Sequence, residues 1–327
     1  MRFAIFATIL FLGLPLAAQF RFTPVNIAGA TDTEVRGVNN SGEIVGFYHL
    51  ASDACVPEAP GNLQVPNCDQ HGFKIVNGVL TKLMVPGSLS TVILGVNDYG
   101  DLVGFYTKTS SACIIEQHGF IWYHQNVIKS IDYPAVTGFC GTDAAWTVPM
   151  GINKAGTVVG AVWSVLSGMP AGGFVYAKGK FSVMNLGDSG YTGACYTCSG
   201  VYGIANSGVI VGTGWRTFGL IPMWVGYMKN AADEDFFTRA QDDTWATAVN
   251  NAIDIAGYGI YGAGFFAKHI ELNEGPNDQE VEPQLLGVFY PNAVGTYPFG
   301  MNDQRAIVGA YMSEDGHTHG FMAAPNF

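Results

Sequence analysis

The stretch "GVNNSGEIVGFY" at Gly37–Tyr48 returns almost unchanged as "GVNDYGDLVGFY" at Gly95–Tyr106. It recurs as "GINKAGTVVGAVW" from Gly151, "GIANSGVIVGTGW" from Gly203, "AVNNAIDIAGYGI" from Ala248 and "GMNDQRAIVGAYM" from Gly300. Six copies begin at positions 37, 95, 151, 203, 248 and 300, with spacings of 58, 56, 52, 45 and 52. Repeats of this length mark an array of supersecondary units. The pattern is an apolar residue, an Asn, two turn residues, a Gly in four copies, then a β-branched run such as "IVG". That is the chemistry of a tight hairpin whose turn is closed by a residue in the left-handed region, which Gly enters without steric cost. Ile253 and Arg305 stand at the Gly position in the last two copies, and those turns are expected to be built differently.

Two more strand-like segments separate the hairpins. One follows "HGF" or a relative of it: "HGFKIV" at His71, "HGFIWY" at His118, "GGFVYA" at Gly172, "AGFFAK" at Ala263 and "HGFMAA" at His319. The next follows a short turn, as in "VLTKLMVP", "VIKSIDYP" and "KFSVMNLG". The fourth unit, around "IPMWVGYMKN", fits least well. Each unit therefore has four strands, here called a, b, c and d. The segment "FRFTPVNIAGATDTE" reads as a d strand with no a, b or c before it, and Phe299–Phe327 supplies a, b and c with no d after it. One unit split across the two ends is how a ring closes. The sequence predicts an all-β fold, a six-bladed β-propeller of four-stranded antiparallel blades, with an N-terminal strand completing the last blade.

The combination of the hairpin phrase, "HGF" and a following apolar strand resembles the extracellular HAF-repeat family of secreted bacterial proteins over nearly the whole chain after the leader. The resemblance implies secretion and a propeller, and it brings no catalytic set. Half of the copies here replace or lack the His of the HGF element.

The remaining features fit that outline. "MRFAIFATILFLGLPLAAQF" has one basic residue, an apolar run and small residues at Ala17 and Ala18, so residues 1–18 read as a signal peptide and 19–327 as one propeller domain. Secretion, to the periplasm, cell surface or medium, follows as an expectation. With 26 acidic against 15 basic residues and a net charge of −11, nucleic acid and anionic membranes are poor partners. The uncharged run Ala155–Ala177 is long enough to span a membrane, but Gly160, Gly168, Pro170, Gly172 and Gly173 interrupt it inside a repeat, and no span is expected. A monomer is expected, with no cofactor and no metal. The six cysteines suit disulfides in an oxidising compartment, with Cys55–Cys68, Cys113–Cys140 and Cys195–Cys198 the favoured pairs among fifteen pairings that the sequence leaves open.

Strands alternate in direction, so the a–b and c–d turns share one face, and the b–c and d–a loops share the other. The long insertions at 51–70, 108–117, 135–147 and 187–200 are all b–c or d–a loops, and they hold every cysteine. Four residues before each hairpin stands a hydroxyl: Thr33, Thr91, Thr147, Ser199, Thr244 and Thr296. A position repeated in every blade reads as structural. The columns that break the repeat are more informative. One residue after the hydroxyl are Glu34, Val92, Val148, Gly200, Trp245 and Tyr297; three after it are Arg36, Leu94, Met150, Tyr202, Thr247 and Phe299. Glu34 and Arg36 are the only charges in either column. With Tyr202, Trp245, Tyr297 and Trp146 they form the candidate ligand site at the channel mouth, and Asp143, Asp242 and Asp243 stand in reserve. A carboxylate, a guanidinium and aromatic rings suit a glycan, because rings stack on CH-rich sugar faces while charged groups exchange hydrogen bonds. The rival is a carbohydrate-active hydrolase or lyase, which needs a general acid and base at one bond.

Weaker motifs read as structural. "GDSG" at Gly187–Gly190 lacks the oriented His and acid that a Ser189 nucleophile would need. His71, His118 and His319 share a repeat position in different blades, too far apart to converge on a metal. The acidic segment Glu271–Glu282 reads as a solvated c–d loop, with calcium as its functional alternative. The sequon at Asn39 lies in a tight turn.

Overall fold

The computed structural model describes residues 19–53, 69–109, 116–134, 145–164, 169–184, 199–218, 221–229, 234–236, 243–268 and 285–327. Local turn chemistry comes first. Each a–b turn is closed by a hydrogen bond from its fourth residue back to its first, as from Gly42 N to Asn39 O and from Gly100 N to Asn97 O. The closing residue has positive φ in every copy: Gly42, Gly100, Gly156 and Gly208 lie at 77–91°, and Ile253 and Arg305 at 60° and 61°. The expectation that the last two turns would differ is therefore corrected. They keep the same bonds, Ile253 N to Asn250 O and Arg305 N to Asn302 O. Left-handed backbone at a residue with a side chain costs on the order of 1 kcal/mol or more. Here Ile253 recovers it by packing on the core between blades 4 and 5, and Arg305 by donating from Nε to the fully buried Asp254 at 2.7 Å.

The hairpins open six four-stranded sheets. β1 (Phe20–Val25) belongs to the last of them. Blade 1 is β2–β5 (Ala30–Val38, Ile44–Leu50, His71–Val76, Val79–Leu83), and blade 2 is β6–β9 (Ser90–Val96, Leu102–Lys108, Glu116–Tyr123, Val127–Ile131). Blade 3 is β10–β13 (Ala145–Ile152, Val158–Ser164, Met169–Ala177, Lys180–Met184), and blade 4 is β14–β17 (Ser199–Ile204, Ile210–Phe218, Ile221–Lys229, Glu234–Phe236). Blade 5 is β18–β21 (Thr244–Val249, Ile255–Gly259, Ala263–Ala267, Leu285–Gly287); blade 6 is β22–β24 (Gly295–Met301, Ile307–Met312, Thr318–Pro325) with β1 as its outer strand. β1 pairs antiparallel with β24 from Phe20 opposite Pro325 to Val25 opposite Gly320, so the chain ends close the ring as a six-bladed β-propeller.

The b strands are apolar on both faces because a blade is covered on both sides. Ile44 packs into the core shared with blade 6, and its neighbour Val45 into the core shared with blade 2. A further cluster lies on the channel side of blades 1–3: Phe47, Val92, Leu94, Phe105, Val148, Met150, Ala161 and Trp163, with Trp146 and Tyr202 against it. In all six blades the aromatic of the HGF element stands opposite the Gly of strand b, as Phe73 opposite Gly46 and Tyr227 opposite Gly212. The ring fills the space left by the absent side chain, which explains why the two motifs travel together.

The repeat's Asn ties blade to blade. Asn39 Oδ1 accepts from the N–H groups of Ser41 and Glu43, while its Nδ2 donates across to Asn97 O at 3.0 Å. Asn97 reaches Asn153 O, Asn153 reaches Ala205 O, Asn250 reaches Asn302 O and Asn302 returns to Asn39 O. Blade 4 substitutes Ala205 for the Asn and places the buried Val209 four residues on, where blades 1, 2 and 5 carry Glu43, Asp101 and Asp254. Asn39 is consumed by this network, so its sequon is structural.

The hydroxyl column has the expected role. Thr91, Thr147 and Thr296 accept the N–H groups of Val85, Tyr133 and Tyr290, at 2.8–2.9 Å, where strand d turns back toward the channel. His71, His118 and His319 lie in separate blades, opposite Tyr48, Tyr106 and Tyr311 with ring centroids 5.2–5.3 Å apart. Each also meets local partners: Asp53 for His71, Asp132 and Glu116 for His118, and Ser313 for His319. Blades whose b strand lacks that Tyr also lack the His. All six cysteines, the acidic segment 271–282, Ser189, Asp143 and Asp242 lie outside the described residues. No helix among the described residues is long and apolar enough to cross a membrane.

Candidate functional site

The residues that vary between blades are aimed into the channel by a device common to all six. Every innermost strand has a β-bulge at the same place, between Val35 and Gly37, Ile93 and Gly95, Pro149 and Gly151, Val201 and Gly203, Ala246 and Ala248, and Pro298 and Gly300. A bulge leaves one residue outside the ladder and re-aims its side chain. The six bulge residues are Arg36, Leu94, Met150, Tyr202, Thr247 and Phe299, and together they line a channel cavity of about 80 Å³. The residue that follows each bulge is Gly in five blades and Ala248 in blade 5. A side chain on Gly95 would run into Met150 O, and one on Gly300 into Arg36 O and the Gly37 Cα. Neighbouring inner strands thus meet backbone to backbone around the ring.

Arg36 is the centre of the site. Its Nε lies 3.3 Å from Glu34 Oε2, and its guanidinium carbon is 3.9 Å from the centre of the Phe299 ring and 5.7 Å from that of Phe47. Both members of the ion pair are buried, at 7% exposure for Arg36 and 8% for Glu34. Arg36 Nη2 is buried with no hydrogen-bond partner, and so is Trp163 Nε1 in the apolar cluster that contains Phe47. An orphaned buried donor costs roughly 1–3 kcal/mol, so Arg36 Nη2, on a residue that lines the channel cavity, calls for an acceptor from outside the chain.

Three phenols complete the mouth. Tyr258 stacks on Trp245 at 5.3 Å and meets Tyr297 and Phe299 edge-on at 5.2 and 6.0 Å. Burial pushes the Tyr202, Tyr258 and Tyr297 hydroxyls up from their ordinary range; the Arg36 charge opposes this for the first two, and Glu34 reinforces it for the last two. They are neutral at physiological pH. The rings of Tyr202, Trp245, Tyr258 and Tyr297 each keep part of their surface exposed.

The structure therefore brings together Glu34, Arg36, Tyr202, Tyr297 and, through Tyr258, Trp245. Trp146 is set apart from them: it lies on blade 3 opposite Trp163 and packs on the apolar wall. Asp243 is engaged by strand β16, accepting the Trp224 N–H at 2.7 Å. Tyr258 and Phe47 escape a comparison confined to the inner strands. They stand in the b-strand column Phe47, Phe105, Ala161, Thr213, Tyr258 and Ala310, and the same column-by-column comparison would have shown Tyr258 as its only phenol.

The opposite mouth is built from the turns. Asn40 Nδ2 donates to both Asp98 Oδ2 and Asp303 Oδ2, Asn251 Nδ2 donates to Asp303 Oδ2, and Asn206 Nδ2 reaches Asp98 Oδ2 across the channel at 3.4 Å. Hydrogen bonds thus span this end.

No family model matches the chain, and no curated protein matches its sequence. Among solved structures, a triple arginine-to-alanine mutant of AofleA from Arthrobotrys oligospora is similar at 8% identity and a TM-score of 0.42, over 94% of this chain and 84% of that one. XC5397 from Xanthomonas campestris, described as a gluconolactonase important in glucose secondary metabolic pathways, is similar at 9% identity and a TM-score of 0.44, over 90% of this chain and 88% of that one.

Proposed function

We propose that this propeller is an extracellular binding protein whose channel mouth on the long-loop face engages a glycan. The observation that carries the reading is Arg36: a buried guanidinium, stacked on Phe299 and charge-paired with Glu34, whose Nη2 has no acceptor. Around it stand aromatic faces and neutral phenols, the combination that grips a molecule with apolar CH faces and many hydroxyls. Hydrolysis by paired carboxylates has less support. Glu34 is held by Arg36, and Asp243 is spent on Trp224. Among the described residues, Tyr202, Tyr258 and Tyr297 near the ion pair are phenols pushed up by burial and stay protonated at neutral pH.

Glycan-array binding by the purified protein, followed by titration of the best ligand, tests the reading. Trp245→Ala and Glu34→Gln are expected to weaken binding at least tenfold. Affinity unchanged in both variants removes the site, and release of shortened products from the ligand replaces binding by catalysis.

A further inference from the structure

We propose that the mouth takes the terminal residue of a neutral glycan, inserted end-on from the long-loop face, and does not grip residues inside a chain. The inference rests on the glycan-binding reading and narrows it. Three observations lead to it.

The first is the closed geometry beyond Arg36. The cavity at the bulge ring holds about 80 Å³, against roughly 300–1,000 Å³ for pockets that enclose a whole ligand. At its other end the far mouth is spanned by the Asn40, Asp98, Asn206 and Asp303 side chains. A polymer cannot thread this channel. Only a group projecting from the end of a chain can descend to Arg36.

The second is the depth of the unused donor. Arg36 Nη2 is buried and has no acceptor. A residue linked on both sides and laid across the mouth would be held above it by its own neighbours. A terminal residue has no such tether on its free side.

The third is charge. Glu34 already balances Arg36, and the phenols of Tyr202, Tyr258 and Tyr297 are neutral donors. The site thus offers donors without net positive charge. Hydroxyl and carbonyl oxygens satisfy them, whereas a carboxylate would meet Glu34 at short range.

The experiment is a chain-length series measured calorimetrically on the full chain. Probes are the mono-, di-, tetra- and hexasaccharides of glucose, mannose, galactose and N-acetylglucosamine, with glucuronate-terminated counterparts. For the sugar that binds, end-on recognition predicts a Kd per mole of chain that is constant within about twofold from dimer to hexamer. It also predicts competition by the monosaccharide, and at least tenfold weaker binding of the acidic chain. Affinity that climbs severalfold with length, or preference for the acidic terminus, overturns the inference and leaves glycan binding intact. No binding by any probe overturns both. Leu94→Trp, which fills the channel without altering a polar side chain, and Arg36→Lys, which keeps the charge and removes the fork, should each weaken the monosaccharide at least tenfold. If Leu94→Trp fails to fold, Arg36→Lys decides: unchanged binding in it overturns the inference.

Discussion

Asn39 Nδ2 donates to the carbonyl oxygen of Asn97, 3.0 Å away in the next blade, so the residue that shapes one turn also fastens it to its neighbour. Asn97 repeats the arrangement: its Oδ1 accepts from Tyr99 and Asp101, and its Nδ2 donates to Asn153 O and Asp101 Oδ2. Removing a buried side chain with four such bonds orphans several partners at roughly 1–3 kcal/mol each, partly relieved by relaxation. Asn97→Ala is expected to lower stability by about 2–4 kcal/mol, read from denaturant midpoints. Asn97→Asp keeps the shape but replaces the donor by an acceptor beside Asp101. It should be at least as damaging, and a harmless Asn97→Asp would show that the inter-blade bond contributes little.

The Glu34–Arg36 pair makes a second, thermodynamic prediction. Removing one partner of a buried ion pair leaves the other charge uncompensated, at about 3–5 kcal/mol, while replacing both is far milder. Arg36→Leu should be strongly destabilising, and the double variant Glu34→Gln/Arg36→Leu should recover at least half of the loss. A double variant as unstable as the sum of the two singles would show that the side chains are not coupled.

Much of this architecture is legible in the sequence because its determinants are local. The turn Gly, the apolar alternation and the unpaired strand at the N-terminus fix the blade count and the closure. The bulge is not legible, since it occurs in all six copies and no copy lacks it for contrast. The role of Asn39 is hidden for a different reason, because its decisive partner lies 58 residues away. At the site, Glu34 and Arg36 stand out as charges in otherwise uncharged columns. Tyr258 does not, because it reaches the site from strand b.

Residue-type rules also misjudge Ile253 and Arg305, and the two should respond differently to Gly. At Ile253, relief of left-handed strain, roughly 1 kcal/mol, opposes the loss of a partly buried apolar side chain. Ile253→Gly should therefore change stability by less than about 1 kcal/mol. At Arg305 the same relief is outweighed, because Asp254 is fully buried and loses its cation. Arg305→Gly is expected to cost about 2 kcal/mol or more. Thermal melts of the two variants side by side check the contrast, and equal shifts would show that Arg305 contributes nothing through its charge.

Two histidines give stability opposite dependences on pH. Donation from the His118 ring to the Asp132 carboxylate raises His118 above its ordinary value of 6.5, with burial opposing it. The folded state therefore binds this proton more tightly than the unfolded chain. That contribution is complete below pH 6.5 and is lost as pH rises through the folded value. Burial lowers His49, against the pull of Asp32 and Asp53. Here the unfolded chain binds the proton more tightly, so the contribution is complete above pH 6.5 and is lost as pH falls through the depressed folded value. Both effects are small where the rings are partly exposed, so the difference between variants is the sensitive readout. Plotting melting temperature against pH from 5 to 8, His118→Gln should lose stability relative to the parent mainly at the acid end. His49→Gln should gain relative to the parent at that same end, because it no longer has a buried ring to protonate. If both variants track the parent in parallel, neither histidine is linked to folding in this range.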